Sequence, residues 1–407
     1  MENPKIRFKG FTKDWEQRKL GDMGSTFTGL SGKTKENFGH GDAQFITYMN
    51  VFSNPIANLE MTEAVEIDAK QNRVKKGDVF FTTSSETPEE VGMSCVMPEN
   101  KDNIYLNSFC FGYRPTEKFD LDYLAYVLRA DSFRKEMTFL AQGISRYNIS
   151  KNKVMEVEIP IPSLDEQSRV GQYFKNLDTL ITLHQRKCEQ TKKLKKYMLQ
   201  KMFPQNGAKV PEIRFDGFTY DWEQRKLIDY LEVSSEKNRD NRFTKEDVLS
   251  VSGEYGIVNQ IEFQGRSFAG ASVSNYGVVE NGDVVYTKSP LKSNPYGIIK
   301  TNKGIPGIVS TLYAVYKPKE ITDSKFVQIY FELDSRMNSY MHPLVNKGAK
   351  NDMKVSAENA LKGMVSFPKK DEQEMISLYF STLDNLITLH QRQTDFYKKI
   401  SFYYISS

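Results

Sequence analysis

The sequence predicts an α+β fold: two mixed α/β domains, related by a pseudo-twofold axis, are separated by two long helices that form an antiparallel coiled coil. Three observations lead to this prediction. One sequence unit occurs twice, about 206 residues apart. Each copy ends in a long segment with heptad spacing of apolar residues, and the middle of each copy has the pattern of short strands and helices. The predicted domains are residues 1–160 and 211–366, and the predicted helical spacers are residues 161–210 and 367–407.

The two copies agree best at their ends. Residues 4–20 and 211–227 are identical at 14 of 17 positions, and residues 165–186 and 371–392 are identical at 14 of 22. Between these ends the copies share little beyond a Gly-Asp-Val strand entry. Duplication alone implies only symmetry. The informative feature is that the ends are kept while the middles have diverged.

The closing segments are predicted to be helices that pair with each other. Residues 165–201 lack proline and carry a seam of residues at alternating spacings of four and three, which is the coiled-coil pattern. Ser163 is a suitable N-terminal cap with a glutamate three residues later, and Pro204 ends the segment. A helix of about 55 Å needs a partner of similar length, which the second copy supplies. The predicted seam, which is also the predicted partner contact, includes Phe174, Leu177, Ile181, Phe380, Leu383 and Ile387.

Two histidines, His184 and His390, fall on the seam. A metal pair or proton relay would need carboxylate or cysteine ligands at helical spacing, and the sequence has none there, so we predict core-edge histidines. A basic run follows at residues 186–196. Contact with phosphate or a partner, and a solvated helix face, explain this run equally well.

The middles are predicted to contain several short strands, each following a glycine-containing turn, and then a helical stretch. The predicted strands include residues 78–82, 109–113, 283–287 and 311–316, and the predicted helical stretches lie near residues 121–140 and 323–341.

Polar loops in the middles hold the predicted DNA-binding residues. Arginine pairs with guanine, asparagine or glutamine pairs with adenine, and serine, threonine or lysine reaches phosphate oxygens. A polar loop residue is also often simply solvated, so both interpretations stay open for each one. The candidates in the first copy are Lys33, Thr34, Arg73, Thr83, Ser84, Ser85, Arg146 and Tyr147. The candidates in the second copy are Arg239, Asn241, Arg242, Arg266, Asn275, Tyr276, Lys288, Lys292, Asn294, Lys347, Lys350 and Asn351.

Motifs for catalysis are absent from the sequence. Residues 29–34 resemble a phosphate loop, but that motif requires glycine where Phe27 stands. Residues 294–296 resemble the Asn-Pro-Pro-Tyr/Phe loop of adenine methyltransferases, but they lack the second proline, and no glycine-rich cofactor loop precedes them. The four histidines assemble no triad or metal constellation. We therefore predict no catalytic residue, no metal and no cofactor in this chain.

The composition indicates the cellular compartment in which the protein is expected. The 56 Lys and Arg residues nearly balance 52 Asp and Glu residues, so any electrostatic function depends on how charge is distributed. The three cysteines are far apart, which fits a reducing compartment, and no apolar run approaches the roughly 20 residues that span a bilayer. These features predict a cytoplasmic protein that does not enter a membrane.

Several features together resemble the specificity subunit of type I restriction–modification enzymes. They are the doubled Phe-x-Gly-Phe-Thr-x-Asp-Trp-Glu-Gln-Arg-Lys-Leu opening, the Gly-Asp-Val strand entry, the Gly-Ile-Ser-Arg-Tyr-Asn-Ile-Ser segment at residues 143–150, and Pro-x-x-x-Glu-Gln before each heptad helix. The resemblance covers essentially the whole chain. It implies two target recognition domains that each read one half of a split, asymmetric site in double-stranded DNA, with the helices setting the gap.

The resemblance also implies partners: two methyltransferase subunits that carry S-adenosylmethionine, and endonuclease/translocase subunits. The family offers no catalytic residue to transfer to this chain, and its base-reading residues vary too much to transfer by motif. Two alternatives remain, a self-contained DNA modification enzyme and a coiled-coil protein scaffold without a DNA role. Methyl transfer by the chain alone would favour the first alternative. Removal of the basic loop side chains without a change in DNA affinity would favour the second.

Overall fold

The computed structural model describes residue 4 and residues 6–205, 207–288, 294–345 and 355–405, with side chains described as far as residue 401. The chain divides into two compact units. Unit 1 consists of residues 1–185 and 391–407, and unit 2 consists of residues 186–390.

Unit 1 takes its sheets from the first copy of the repeat. The elements of this copy are β1 (Glu16–Lys19), β2 (Gly24–Thr28), β3 (Phe38–Ile46), α1 (Tyr48–Ser53), β4 (Thr62–Val65), β5 (Val79–Thr82), β6 (Ser84–Ser85), β7 (Ser94–Val96), β8 (Ile104–Leu106), β9 (Cys110–Pro115), α2 (Leu121–Val127), α3 (Asp131–Leu140), β10 (Tyr147–Asn148), α4 (Lys151–Met155), β11 (Glu158–Ile161) and α5 (Leu164–Lys201). The main sheet is antiparallel in the order β2-β9-β5-β7, and smaller sheets pair β1 with β11, β6 with β10, and β3 with both β4 and β8.

Unit 2 takes its sheets from the second copy. The elements of this copy are β12 (Glu223–Lys226), β13 (Leu231–Val233), β14 (Leu249–Ser252), β15 (Gly256–Asn259), α6 (Gln260–Gln264), β16 (Gly277–Val279), β17 (Val284–Thr287), β18 (Ile299–Thr301), β19 (Gly307–Val309), β20 (Tyr313–Pro318), α7 (Ser324–Tyr330), α8 (Asp334–Met341), α9 (Ala357–Ala360), β21 (Met364–Phe367) and α10 (Lys370–Ile405). Its main sheet has the order β13-β20-β17-β18, with β12 paired to β21, so the two copies build the same framework.

The central strand of each main sheet starts from the same turn. Gly77 and Gly282 have φ values of +85° and +89°, a left-handed conformation that glycine adopts without steric cost. The carboxylates of Asp78 and Asp283 then accept the backbone N–H three residues earlier, at 2.7 Å and 2.9 Å. The strands that follow, β5 and β17, are buried along their whole length. The predicted strand entries are thus confirmed in both copies.

Each predicted helical stretch is two helices. Asp120 caps α2 and Asp323 caps α7, each by accepting a backbone N–H. Between α2 and α3 the chain turns at Arg129, whose guanidinium donates to the carbonyls of Ser94, Val51, Phe52 and Asn54 at 2.8–3.1 Å. The break between the helices places this half-buried guanidinium at the end of α1, where it satisfies carbonyls that the short helix leaves free.

The two long helices meet in both units. In unit 1, Phe174 and Leu177 of α5 share an apolar cluster with Tyr397 and Ile400 of α10, and the His184 ring stacks on Tyr397 at 5.7 Å. Ile181, one turn after Leu177 on the predicted seam, is half-buried. The predicted seam of α5 is therefore the face that packs.

In unit 2 the helices α5 and α10 run in opposite directions. Cys188 lies against the carbonyl of Ile387 at 3.9 Å, and Leu199, further along α5, shares a core with Phe380 and Leu383, earlier on α10. Later residues of α5 therefore contact earlier residues of α10, so the helices pair antiparallel here, as predicted.

Among the described helices, none is long and apolar enough to cross a membrane.

Candidate nucleic-acid interface

Each unit locks its framework through the Glu-Gln pair near the start of its long helix. The Gln167 side chain accepts the backbone N–H of Asp120 at 3.0 Å, and Gln373 accepts that of Asp323 at 2.9 Å. Each glutamine also donates to a proline carbonyl five residues before it, at 3.0 Å and 2.9 Å. The repeated dipeptide therefore fixes the capped end of α2 or α7 against the long helix.

The framework of unit 1 brings five of the predicted DNA-binding residues together. Strands β6 and β10 pair, so that Ser85 lies opposite Tyr147, and Thr83 accepts the backbone N–H of Ile149 at 3.0 Å. Ser84 lies opposite Asn148 in this pairing, and Arg146 directly precedes β10. We name Thr83, Ser84, Ser85, Arg146 and Tyr147 the unit 1 polar face. The pairing thus brings two segments that are far apart in the chain onto one surface.

Within the unit 1 polar face, some hydroxyls are committed to the protein. Ser84 and Ser85 are buried, and the Ser85 hydroxyl donates to Glu90 at 3.0 Å. The Thr83 hydroxyl donates to the carbonyl of Phe109 at 2.8 Å. Arg146 is exposed and Tyr147 is half-buried, so these two side chains are the ones placed to contact a ligand.

The loop that carries Arg146 is held as a tight hairpin. Gln142 and Asn148 exchange backbone hydrogen bonds at 2.9 Å and 2.8 Å. Gly143 has φ +150°, and a Cβ there would lie 2.0 Å from the carbonyl of Arg146, so only glycine fits. The Gly-Ile-Ser-Arg-Tyr-Asn segment is therefore a built turn with Arg146 near its tip.

Tyr48 of α1 borders the same face. Its hydroxyl donates to the carbonyl of Ser84 at 2.8 Å. Burial raises the pKa of Tyr48 above its ordinary value, and the nearby positive charge of Arg146 acts in the opposite direction. The charged groups at this face thus include the exposed guanidinium of Arg146 and the Glu90 carboxylate that accepts from Ser85.

The other candidates of unit 1, Lys33, Thr34 and Arg73, occupy a different pair of loops. The ammonium of Lys33 pairs with Asp68 at 3.1 Å and is largely covered. The backbone N–H of Lys70, the Gln71 amide and Lys33 lower the pKa of Asp68 to about 2. The Thr34 hydroxyl donates to Asn37 Oδ1 at 3.3 Å in a local turn, and both Thr34 and Arg73 are exposed. Of the two cations, Arg73 is the one with an exposed side chain.

In unit 2, Lys288 stands at the end of β17, half-buried. Burial lowers its pKa first, and the charge of nearby Lys237 lowers it further. Lys237 pairs through its backbone with Gly277, directly after the predicted candidates Asn275 and Tyr276. Glu358 acts in the opposite direction, but the pKa of Lys288 stays lowered, so an anion such as phosphate would stabilise the charged form of this lysine.

The loop at residues 237–244 shows which of its arginines is available. Arg242 pairs with Glu236 at 3.0 Å and with Glu280 at 2.8 Å, and its guanidinium lies over Phe243. Arg239 is exposed, and none of the carboxylates in the described ranges lies within ion-pair distance of it. Asn241 has φ +53°, so it serves the turn itself.

The remaining candidates of unit 2 are dispersed. Arg266 is exposed and lies over Phe268 at 4.6 Å, and Tyr276 is half-buried. Asn294 is buried and donates to Asp334 at 2.8 Å, a bond that holds the start of α8. Four candidates, Lys292, Lys347, Lys350 and Asn351, lie outside the described residues.

The end of the central strand is built alike in both units. The backbone N–H of Thr83 donates to Phe109, and that of Lys288 donates to Leu312, both at 3.1 Å. The side chains of Phe109 and Leu312 are 59% and 56% exposed. One backbone position thus presents a threonine in one unit and a lysine in the other.

Over the part of the chain that the structure describes, no group of three or more His, Cys, Asp or Glu residues is arranged to hold a metal ion.

Comparison with known sequences relates these units to one family. Residues 12–193 match the family model described as the type I restriction modification DNA specificity domain. A chain of Methanocaldococcus jannaschii named as the specificity subunit of a type I restriction enzyme, MjaX, is 24% identical over 94% of this chain and 90% of its own length. The MjaVIII specificity subunit of the same organism is 32% identical over 84 residues, 21% of this chain and 20% of its own. This chain belongs to the specificity-subunit family of type I restriction–modification systems.

Solved structures of such subunits have the same fold as this specificity subunit. The type I restriction–modification S subunit of M. genitalium has a TM-score of 0.60 at 14% identity, with 99% of this chain and 98% of that chain covered. A chain from a structural study of complex assembly and conformational transition in a type I system has a TM-score of 0.51 at 15% identity, with 97% of both chains covered. The predicted α+β class, with a long helix closing each copy, is confirmed.

Sequence reasoning missed two residues at the faces of this specificity subunit. Lys237 lies two residues before the predicted Arg239, and its backbone pairing with Gly277 places it near enough to Lys288 to lower the pKa of that lysine. Tyr48 belongs to a short helix 36 residues from the serine that it contacts. A weak signal existed for Lys237, since it adjoins a loop already rich in arginine.

Proposed function

We propose that this specificity subunit reads a bipartite, asymmetric site in double-stranded DNA, one half with each unit, and does no chemistry of its own. The observation that carries the proposal is that the ends of β5 and β17 have the same backbone hydrogen bond. One framework presents Thr83 in one unit and Lys288 in the other, on surfaces that are otherwise different. A common scaffold with different polar groups suits the reading of two different half-sites.

In unit 1, Arg146 and Tyr147 are proposed to contact DNA directly. Arginine is the side chain best suited to guanine, through O6 and N7 in the major groove, and Arg146 is exposed on a rigid turn. Thr83, Ser84 and Ser85 support that turn through their backbone and hydroxyl bonds. Arg73 is proposed as a phosphate contact in the neighbouring loops, with Lys33 and Thr34 shaping them.

In unit 2, the proposed contacts are Lys288, Arg239, Arg266 and Asn275, together with Lys237. Lys237 and Lys288 suit a phosphate, because the anion would offset two adjacent positive charges. Arg239 is free to read a base or grip the backbone. Arg242 is proposed to shape its loop, since Glu236 and Glu280 already neutralise it.

The identical ends of the two copies are proposed to dock two identical methyltransferase subunits, which carry S-adenosylmethionine, and to support endonuclease/translocase subunits. The framework bonds of Gln167 and Gln373 support this, because they give both units the same outer construction. The long helices are proposed to set the distance between half-sites. The proposed location of the assembly is the cytoplasm.

The decisive experiment exchanges residues 21–147 for the middle of another family member and maps methylated adenines across a genome. We expect one half of the recognised site to change and the other to persist. A change of both halves, or of neither, would contradict reading by separate units. The control is the unmodified chain expressed without its partners, which should methylate no adenine. Methyl transfer by the purified chain alone would instead support a self-contained enzyme.

A further inference from the structure

Phe203 of unit 2 fills an aromatic socket. It follows the end of α5 and is 1% exposed. Its ring lies 6.0 Å from Trp222, 5.8 Å from both Phe326 and Tyr330, and 6.2 Å from Phe380. The guanidinium of Arg336 covers it at 4.4 Å. The end of one long helix is therefore anchored in this core by Phe203 together with its neighbours Leu199 and Met202.

Unit 1 contains the counterpart of this socket. The residues Trp222, Phe326, Tyr330, Arg336 and Phe380 correspond in the repeat to Trp15, Tyr123, Val127, Phe133 and Phe174. All five counterparts line one open cavity of about 700 Å³, which we name the unit 1 socket. Trp15 is half-buried there, whereas Trp222 is 4% exposed beneath Phe203. The same wall is thus covered in one unit and open in the other.

The lining of the unit 1 socket carries an excess of negative charge. Glu136, Glu156, Glu158 and Lys153 line it, and Lys19 pairs with Glu156 at 2.8 Å, so three carboxylates face two ammonium groups. The helix end that fills the socket of unit 2 is basic, because α5 carries Lys192, Lys193, Lys195, Lys196 and Lys201 before Phe203. A ligand built like this helix end would match the unit 1 socket in both shape and charge.

We propose that the unit 1 socket docks a partner polypeptide, a basic helix that ends in an aliphatic–aromatic pair like Met202-Phe203. The inference rests on the proposed function only in that the partner is another protein subunit of the same assembly. The ring would enter between Trp15, Tyr123 and Phe174, where an apolar pocket can hold most of the binding energy in one aromatic anchor. The occupied socket of unit 2 shows the form that such a ligand takes.

The test uses the chain's own helix end as the probe. Trp222→Phe leaves Trp15 as the single tryptophan, and a synthetic peptide of residues 194–204 contains none. We expect a saturable blue shift of Trp15 emission when the peptide is added, weakened by added salt. A peptide carrying Phe203→Ala should bind at least about tenfold more weakly. Anisotropy of the labelled peptide with the unmodified chain should give the same affinity and does not depend on the tryptophan variant.

Three results would overturn the proposal. The first is a lack of saturable binding, or equal binding of both peptides. The second is a response of Trp222 in the matched Trp15→Phe variant, which would place the peptide in the socket of unit 2. The third is a red shift of Trp15 without peptide in Tyr403→Ala/Tyr404→Ala, which would assign the socket to the chain's own end. None of these measurements involves DNA, so failure here and failure of DNA reading are separable.

Discussion

Arg214 and Glu372 form a bidentate ion pair, with both N–O distances at 2.8 Å, that joins the segment before β12 to the first turn of α10. Arg7 and Glu166 make the same bidentate pair in the first copy, at 2.6 Å and 2.7 Å. The glutamate side chains are 3% and 2% exposed. The opening and closing motifs of each copy recur together because they contact each other.

Substitution of Glu372 tests this link. Glu372→Gln leaves Arg214 without its counter-charge in a mostly buried setting, and it weakens the acceptor of the Trp222 indole N–H at 3.3 Å. We expect a loss of about 3 kcal/mol in the free energy of unfolding, measured with urea. Glu374→Gln, the same change at an exposed position of the same helix turn, should alter stability by less than about 0.5 kcal/mol.

Truncation of Phe203 should destabilise unit 2. Phe203→Ala removes a fully buried ring from the socket and leaves a cavity, which typically costs about 3–5 kcal/mol. Phe396→Ala is the control, because that ring is 58% exposed on α10. Thermal unfolding that shifts equally in both variants would show that Phe203 is not an anchor.

Two arginines three residues apart should differ in their effect on DNA binding. Arg239→Ala should weaken binding and lower the slope of log affinity against log salt by about one, as expected for one lost phosphate contact. Arg242→Ala should change this slope little, because Glu236 and Glu280 already neutralise Arg242. The measurement is a salt titration of DNA affinity for the assembled complex. Equal slopes in both variants would contradict the proposed role of Arg239.

Lys288 should make DNA affinity sensitive to alkaline pH. Burial and Lys237 lower its pKa, so Lys288 loses its charge at a lower pH than an ordinary lysine does. DNA affinity should therefore fall as the pH rises from about 7 to about 10, and Lys288→Arg should reduce this fall because its guanidinium stays charged. Without DNA the effect on folding has the opposite sign. The folded state binds fewer protons than the unfolded state between the two pKa values, so stability rises with pH in that window.

The scaffold was predictable from sequence because its signals are local or repeated. Gly-Asp turns, heptad spacing and the Ser163 cap each act within a few residues, and the structure has them where they were predicted. The polar surfaces were less predictable. Asn294 has the chemistry to read adenine, yet it is buried against Asp334, forty residues away. Lys237 gains its significance only from a strand pairing with Gly277.

The position at the end of the central strand is held by its backbone. Lys288 is fixed through its N–H to Leu312, and Thr83 through its N–H to Phe109, so neither side chain is needed to define where the residue stands. Point substitutions there would change the side chain on this surface without loss of the fold. Under the proposed function, such a position gives a lineage a short route to new target sequences, and it lets the two halves of one molecule evolve at different rates.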